Sequence, residues 1–291
     1  MRSAYLITNG VRLHALEAGR RGNPLVVFCH GFPQLGWSWR HQLGPVGDAG
    51  YHAVAIDMPG YGRSDKPDVT YDVVWLAETV AGVAGALGHD RAVFVGHDWG
   101  GAVVWSLARL HADRVAAVVG VNMADVPRLS VPPVGLLRSV RPERPNYMVQ
   151  FQDRGPAEFF AELDVRGFLE LFFRTRTTVN VDAFPDDVLD VYEAAFSPAG
   201  ALTPPLDYYR NLDRNWELMA DHAEVRVEAP ALMITTDGDP ILTPALTDGM
   251  EERVPHLRRV HITECGHYTP EERPAQTTTA ILDFLADTVP T

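Results

Sequence analysis

Residues 91–101 read RAVFVGHDWGG, and this stretch decides the fold. An apolar run of strand length, 91–96, meets Gly96-His97-Asp98-Trp99-Gly100, and a helical pattern follows over about 99–112. A strand running into G-x-nucleophile-x-G and then a helix is the context of a nucleophile elbow. The glycines let backbone pack closely around a strained turn, and the central side chain, Asp98, stands above the sheet. The plain alternative is an N-cap aspartate in front of Trp99; the residues described below weigh against it.

Outward from this point, the runs LVVFC (25–29), HAVAI (52–56) and VAAVVGV (115–121) read as buried strands. Residues 4–8 and 11–16 alternate on either side of Asn9-Gly10, a hairpin signal. Helical patterns occupy about 37–48 and 71–88. Strands alternating with helices imply a mostly parallel sheet with helices on both faces. Between 126 and 145 the prolines 127, 132, 133, 142 and 145, with Arg138, Arg141 and Arg144 among them, mark a boundary rather than a strand or a long helix. From 156 to about 216 only helical segments follow. The first pair carries Phe159, Phe160, Leu163, Phe168 and Phe172; the second opens with Pro185 at its first position; the third carries Leu206, Tyr209 and Trp216. Strand patterns return at 231–235 and 259–262, with helices expected at about 243–253 and 273–288. The division is thus a core over 1–125 and 218–291 with a helical block, 126–217, inserted.

Composition sets limits. The chain has 291 residues, 46% hydrophobic and 22% charged, which is ordinary globular make-up. Its formal charge of −13 lacks the basic footprint of a nucleic-acid binder and disfavours anionic membranes. No run reaches the roughly 18 apolar residues of a membrane span, and the first residues have no signal-peptide core. Cys29 and Cys265 read as free thiols in a reducing compartment, so a cytoplasmic protein is expected. Lys66 is the one lysine among 25 basic residues, a bias that suggests a GC-rich bacterial genome. There is no H-E-x-x-H, no cysteine pair and no phosphate loop with its lysine, so neither metal nor cofactor is expected.

An aspartate nucleophile narrows the chemistry. A carboxylate is ionised near neutral pH and needs no base to attack. At an acyl carbon it would give an unstable anhydride; at an sp³ carbon it gives an alkyl ester that a second step hydrolyses. Displacement at carbon, with halide or epoxide oxygen leaving, is favoured over esterase or protease chemistry. The second step needs a base. His267, in Glu264-Cys265-Gly266-His267-Tyr268 after the last strand pattern, holds the place where the chain order nucleophile, acid, His puts it. Most of the eleven histidines are expected to be ordinary core or surface residues. The acid that orients His267 should follow the preceding strand, where Asp237-Gly238-Asp239-Pro240 offers Asp239, with Asp237 second and Asp125, after the 115–121 strand, third. Backbone N–H groups of Phe32, in His30-Gly31-Phe32-Pro33, and of Trp99 are the expected oxyanion donors; Pro33 has none. His30 reads as a structural hydrogen-bonder.

Together these residues resemble the epoxide hydrolase branch of the α/β-hydrolase family. The resemblance rests on HGFPQLGWSWRHQ (30–42), DMPGYGRSDKP (57–67), GHDWGGAVVW (96–105) and GHYTPEERP (266–274), and spans nearly the whole chain. It implies the α/β-hydrolase fold with 126–217 as a helical cap, and by position it selects Asp239. It also implies two cap tyrosines that bind and protonate the epoxide oxygen: Tyr147 and Tyr209, with Tyr208 the less favoured neighbour. The chemistry agrees, because an alkoxide is a poor leaving group until a weak acid such as a phenol protonates it. The expected partners are a small apolar epoxide and water, with a homodimer left open. Trp37, Phe159 and Phe172, beside Phe32, are expected to line the pocket.

Two other readings use the same residues. A haloalkane or haloacid dehalogenase shares the nucleophile, but halide needs no proton and is better met by indole N–H groups such as that of Trp99 or Trp105; a haloacid would call for an arginine early in the helix. A catalytically silent ligand-binding protein would have little physical reason to keep an ionised carboxylate in an apolar pocket.

Overall fold

Short apolar runs closed by polar turns become the strands of one eight-stranded sheet. The computed structural model describes residues 1–126, 129–140, 146–175 and 177–291. β1 (Arg2–Thr8) and β2 (Val11–Ala18) form the hairpin, turned by Asn9 and Gly10 at φ 49° and 74°. They are followed by β3 (Leu25–Cys29), β4 (His52–Ile56), β5 (Ala92–His97), β6 (Val115–Val121), β7 (Ala231–Thr236) and β8 (Leu257–Ile262). The spatial order is β1-β2-β4-β3-β5-β6-β7-β8; β1, β2 and β4 pair antiparallel and every other neighbour is parallel.

β3, β4, β5 and β7 are buried at every residue, because helices cover both faces. Alternate side chains therefore enter different cores. Leu25, Val27 and Cys29 join the cluster that holds helices α2 (Val73–Ala86) and α3 (Trp99–Leu110). Val26 and Phe28 join the cluster that holds the earlier helix α1 (Arg40–Asp48) and the last helix, Pro274–Thr288.

Between β6 and β7 the described helices are α4 (Pro133–Val140), α5 (Tyr147–Gln150), α6 (Pro156–Leu163), α7 (Val165–Phe173), α8 (Asp186–Phe196), α9 (Thr203–Arg210) and α10 (Leu212–Leu218). The two helices after β8 are α11 (Thr269–Glu272) and α12 (Pro274–Thr288). The inserted block shares the α2–α3 apolar cluster, to which it contributes Phe151, Leu169, Phe173, Leu189, Leu206 and others. Each such side chain contributes roughly 1.5–3 kcal/mol of burial.

Three local expectations change. The proline-rich boundary contains helix α4, because Pro133 occupies the first turn, where its missing N–H is not needed; Pro142 and Pro145 lie outside the described residues. Pro185 caps α8 from outside rather than opening it, and Asp186 and Asp187 fill the first turn, where the helix dipole favours acids. The helix expected at 243–253 is two single 3₁₀ turns, Pro244–Thr247 and Met250–Glu252, separated by Gly249 in the left-handed region at φ 68°.

Candidate active site

The carboxyl ends of β3, β5, β7 and β8 bring the reactive residues together, the place where parallel sheets present ligands. Asp98 follows β5 with φ 50° and ψ −119°, a conformation that L-residues rarely adopt. The turn holds because neighbouring backbone is close: a Cβ added to Gly31 would stand 2.4 Å from the Asp98 Cβ. Through that approach the Phe32 N–H donates to Asp98 Oδ1 at 2.9 Å, and the Trp99 N–H also faces the carboxylate. Burial raises the Asp98 pKa; His267 and the two N–H groups oppose the rise without cancelling it.

His267 stands after β8 with its Nε2 3.7 Å from Asp98 Oδ2. Its Nδ1 donates to Asp239 Oδ2 at 2.7 Å. Asp239 follows β7 and is held in turn by the N–H groups of Ile241 and Leu242 on Oδ1 and by Asn122 Nδ2 on Oδ2. Burial works against the Asp239 charge, but His267 and those N–H groups outweigh it and keep its pKa below the usual carboxylate range. Burial lowers the His267 pKa, yet Asp239 and then Asp98 prevail and raise it to about 9.

Above Asp98, α5 and α9 place Tyr147 and Tyr209 with ring centroids 5.8 Å apart. The two rings meet edge-on, and the Trp99 ring meets that of Tyr209 edge-on at 5.1 Å. Desolvation, with the nearby Asp98 charge, raises both phenol pKa values, so both remain protonated. Tyr208 points elsewhere and donates to the Pro59 carbonyl at 2.7 Å.

Two cavities meet at Asp98. One of about 250 Å³ is lined by Phe32, Tyr147, Phe172, Tyr209, His267 and Tyr268. The other, about 330 Å³, follows α3 past Trp99, Trp105, Met123 and Leu212. Both lining sets are mostly apolar, as small-molecule sites usually are.

Of the residues singled out in the sequence, Asp98, His267, Asp239, Tyr147, Tyr209, Phe32, Trp99 and Phe172 lie within this one region. Asp237 accepts the N–H groups of Glu264 and Cys265 and organises the loop before His267. Asp125 pairs with Arg109 and Arg253. His30 donates to the Gly31 carbonyl and accepts the Met58 N–H; burial lowers its pKa to about 4.

Two pocket assignments are corrected. Phe159 is 61% exposed and touches Phe160 on the outer face of α6. The buried positions of that helix are Ala157 and Ala161, and a residue two places from each points to the opposite side. Trp37 lines neither cavity, because Arg40 lies 3.8 Å over its ring and Tyr192 packs against it edge-on.

Other residues of the site carried no usable sequence signal. Asn122, at φ 61° after β6, bonds Asp239 and accepts the Thr269 hydroxyl. Gln34 accepts the Gly31 N–H and donates to Glu271, tying the Phe32 loop to α11. The positive φ of Asn122 and the partners of both residues become visible only when distant loops meet.

The alpha/beta hydrolase fold family matches residues 24–274. "Epoxide hydrolase A" of Mycobacterium tuberculosis is 39% identical, over 96% of this chain and 95% of its own length. "Bifunctional epoxide hydrolase 2" of Rattus norvegicus is 35% identical over 95% of this chain, which spans 54% of that protein. The crystal structure of Epoxide Hydrolase A from Mycobacterium thermoresistibile matches with a TM-score of 0.90 and 37% identity, covering 98% of each chain.

Proposed function

The chain belongs to the epoxide hydrolases of the alpha/beta hydrolase fold family, and from that membership we propose that it opens an apolar epoxide in two steps through an ester on Asp98. It is an enzyme, a hydrolase acting on an ether bond. The Asp98 carboxylate attacks an epoxide carbon; a C–O bond forms and the ring C–O bond breaks. Tyr147 and Tyr209 hydrogen-bond the departing oxygen and supply its proton. The product of this step is a hydroxyalkyl ester. His267 then takes a proton from water, and the hydroxide attacks the ester carbonyl. The N–H groups of Phe32 and Trp99 stabilise the oxyanion. Collapse releases the vicinal diol and restores the carboxylate, and the proton on His267 returns to the tyrosines.

One observation carries this reading. A buried carboxylate held by the Phe32 N–H faces two protonated phenols on one side and an Asp239-bound imidazole on the other. The same geometry disfavours a dehalogenase. The Trp105 indole N–H is taken by the Met123 carbonyl, and the Trp99 ring packs edge-on against Tyr209.

The helical block 126–217 is assigned the role of cap, supported by its two tyrosines over Asp98. Mostly apolar cavity walls support an apolar substrate. Among the described residues no helix is long and apolar enough to cross a membrane. A cytoplasmic, bacterial setting is supported by two buried free cysteines and by the arginine bias, and a homodimer remains part of the proposal.

The test measures diol formation from an epoxide panel including styrene oxide, beside halide release from haloalkanes. Diol formation lost in Asp98→Ala and in Tyr147→Phe/Tyr209→Phe supports the reading. Halide release that survives the double substitution, without diol formation in the parent, overturns it.

A further inference from the structure

We infer that Glu272 is a positioning residue for His267, acting by tying the inserted helical block to the loop that carries the base. The inference rests on the role proposed for His267 above. Glu272 ends α11, is 1% exposed, and lines neither cavity that meets at Asp98. Its Oε2 accepts the N–H groups of Val179 at 2.8 Å, Asn180 at 2.9 Å and Gly266 at 3.0 Å. Its Oε1 accepts the Tyr268 N–H at 3.0 Å. Two donors come from the strap between α7 and α8; the other two flank His267. The strap also reaches the base directly, because the His267 N–H donates to the Thr177 carbonyl at 2.7 Å. Asn180 Nδ2 adds a bond to the Glu272 carbonyl.

The physical need is clear. Neither the strap nor the His267 loop belongs to a strand ladder here, so their inward N–H groups must find other acceptors. A carboxylate offers about four acceptor sites, more than any neutral side chain.

Close packing locks the arrangement. A Cβ added to Gly266 would lie 2.5 Å from the Thr177 carbonyl oxygen, 2.7 Å from Glu272 Oε1 and 2.8 Å from Val179 N. One added to Gly238, beside Asp239, would lie 2.4 Å from Val179 Cγ2. The strap is thus seated against glycines next to both members of the His267–Asp239 pair. Asp98 and the two tyrosines hang from other elements, namely the β5–α3 turn, α5 and α9. Loosening Glu272 therefore displaces the base while leaving the nucleophile and the acids in place.

The consequence is specific to one step, because His267 takes no part in forming the ester. In Glu272→Gln the amide sets a donor against N–H donors. The experiment mixes parent and variant with styrene oxide, quenches on the millisecond scale, and weighs the intact protein for covalent adduct alongside steady-state diol formation. The expected result is ester formation within about twofold of the parent and ester hydrolysis slower by about 10- to 100-fold, the scale of a misplaced catalytic group. Adduct then accumulates, kcat and KM fall together, and kcat/KM is held. A variant that turns over like the parent, or one whose kcat/KM falls with kcat and traps no ester, overturns the inference.

His267→Gln is run in parallel. Diol formation by that variant without trapped ester would overturn the role of His267 itself. Ester trapped by His267→Gln but not by Glu272→Gln removes only the role of Glu272. Gly266→Ala, which keeps the Glu272 carboxylate but drives a Cβ between it and the strap, is expected to give the same step-specific loss. If neither variant folds, amide hydrogen exchange of the parent decides. Segments 177–182 and 264–269 are expected to open as one unit, and free exchange of the first with protection of the second overturns the inference.

Discussion

His267 Nε2 stands 3.7 Å from Asp98 Oδ2, outside hydrogen-bonding distance, while its Nδ1 is bound to Asp239 at 2.7 Å. The imidazole is oriented by one acid and left uncommitted toward the other. This is the geometry a base needs if it acts on water at an ester of Asp98 rather than on Asp98 itself. In the proposed mechanism the chemistry divides between the two residues, and their substitutions are expected to fail differently.

Asp98→Asn removes the nucleophile and is expected to abolish both diol formation and covalent adduct. His267→Gln is expected to lower turnover by about 10²- to 10⁴-fold, the usual worth of a general base. Ester formation continues in that variant, so the intact protein gains the mass of one substrate. Rapid-quench mass spectrometry of both variants with styrene oxide checks the pair.

In the proposed mechanism the tyrosines share one task. Each single Phe substitution leaves one phenol on the departing oxygen, so the double variant is expected to lose far more than either single, approaching 10²- to 10⁴-fold in kcat/KM. Tyr208→Phe should leave turnover near the parent. It strands the buried Pro59 carbonyl and costs about 1–3 kcal/mol of stability. Kinetics and urea unfolding on the four variants separate the two effects.

The three acids considered for orienting His267 differ in what they hold. Asp239→Asn spoils the acceptor for His267 Nδ1–H and is expected to cost up to about 10⁴-fold in turnover. Asp125→Ala leaves the partly buried Arg109 and Arg253 without their carboxylate and is expected to cost up to about 3 kcal/mol of stability. Turnover per folded molecule should be retained. Melting temperatures set against active-site-titrated kcat distinguish them.

The pH dependence has a definite sign. His267 is raised to about 9 from an unfolded value near 6.5, so folding favours its protonated form. That stabilisation is complete below about pH 6.5 and is lost as the pH rises through 9; from the shift it amounts to about 3 kcal/mol. Asp98→Asn removes one of the charges that raise His267, so the loss should begin at lower pH. Unfolding free energies of parent and variant between pH 6 and 10 test this. In the proposed mechanism an ester on Asp98 would neutralise the same charge and so make His267 a better base for the second step.

Much of the architecture was legible in short segments. Apolar runs bounded by turns placed all eight strands, and the strand–GHDWGG–helix passage located Asp98 above the sheet. His267 and Asp239 were legible as positions after late strands. Less clear were elements governed by one backbone residue. Gly249 divides 243–253 into two turns, and Pro133 starts a helix inside what reads as a boundary. Phe159 and Trp37 look like pocket residues because aromatic composition carries no direction; the helix face of one and the arginine over the other decided their surroundings.

Alone, the sequence determined what periodicity and residue chemistry can encode: a mostly parallel α/β sheet, a carboxylate at its central turn, and a histidine and acids after later strands. Tertiary structure put Asp239 against His267 and turned Tyr208 away to Pro59, where the residues themselves had left Asp237, Asp125 and Tyr208 as alternatives, and it alone brought Asn122, Gln34 and Glu272 to the site. The reason is distance along the chain. A hydrogen bond such as Glu272 to Val179 joins residues 93 positions apart, and its 2.8 Å length depends on how several loops pack at once. Local sequence sets the conformation of each loop; only the packed fold sets which polar groups of different loops must satisfy one another.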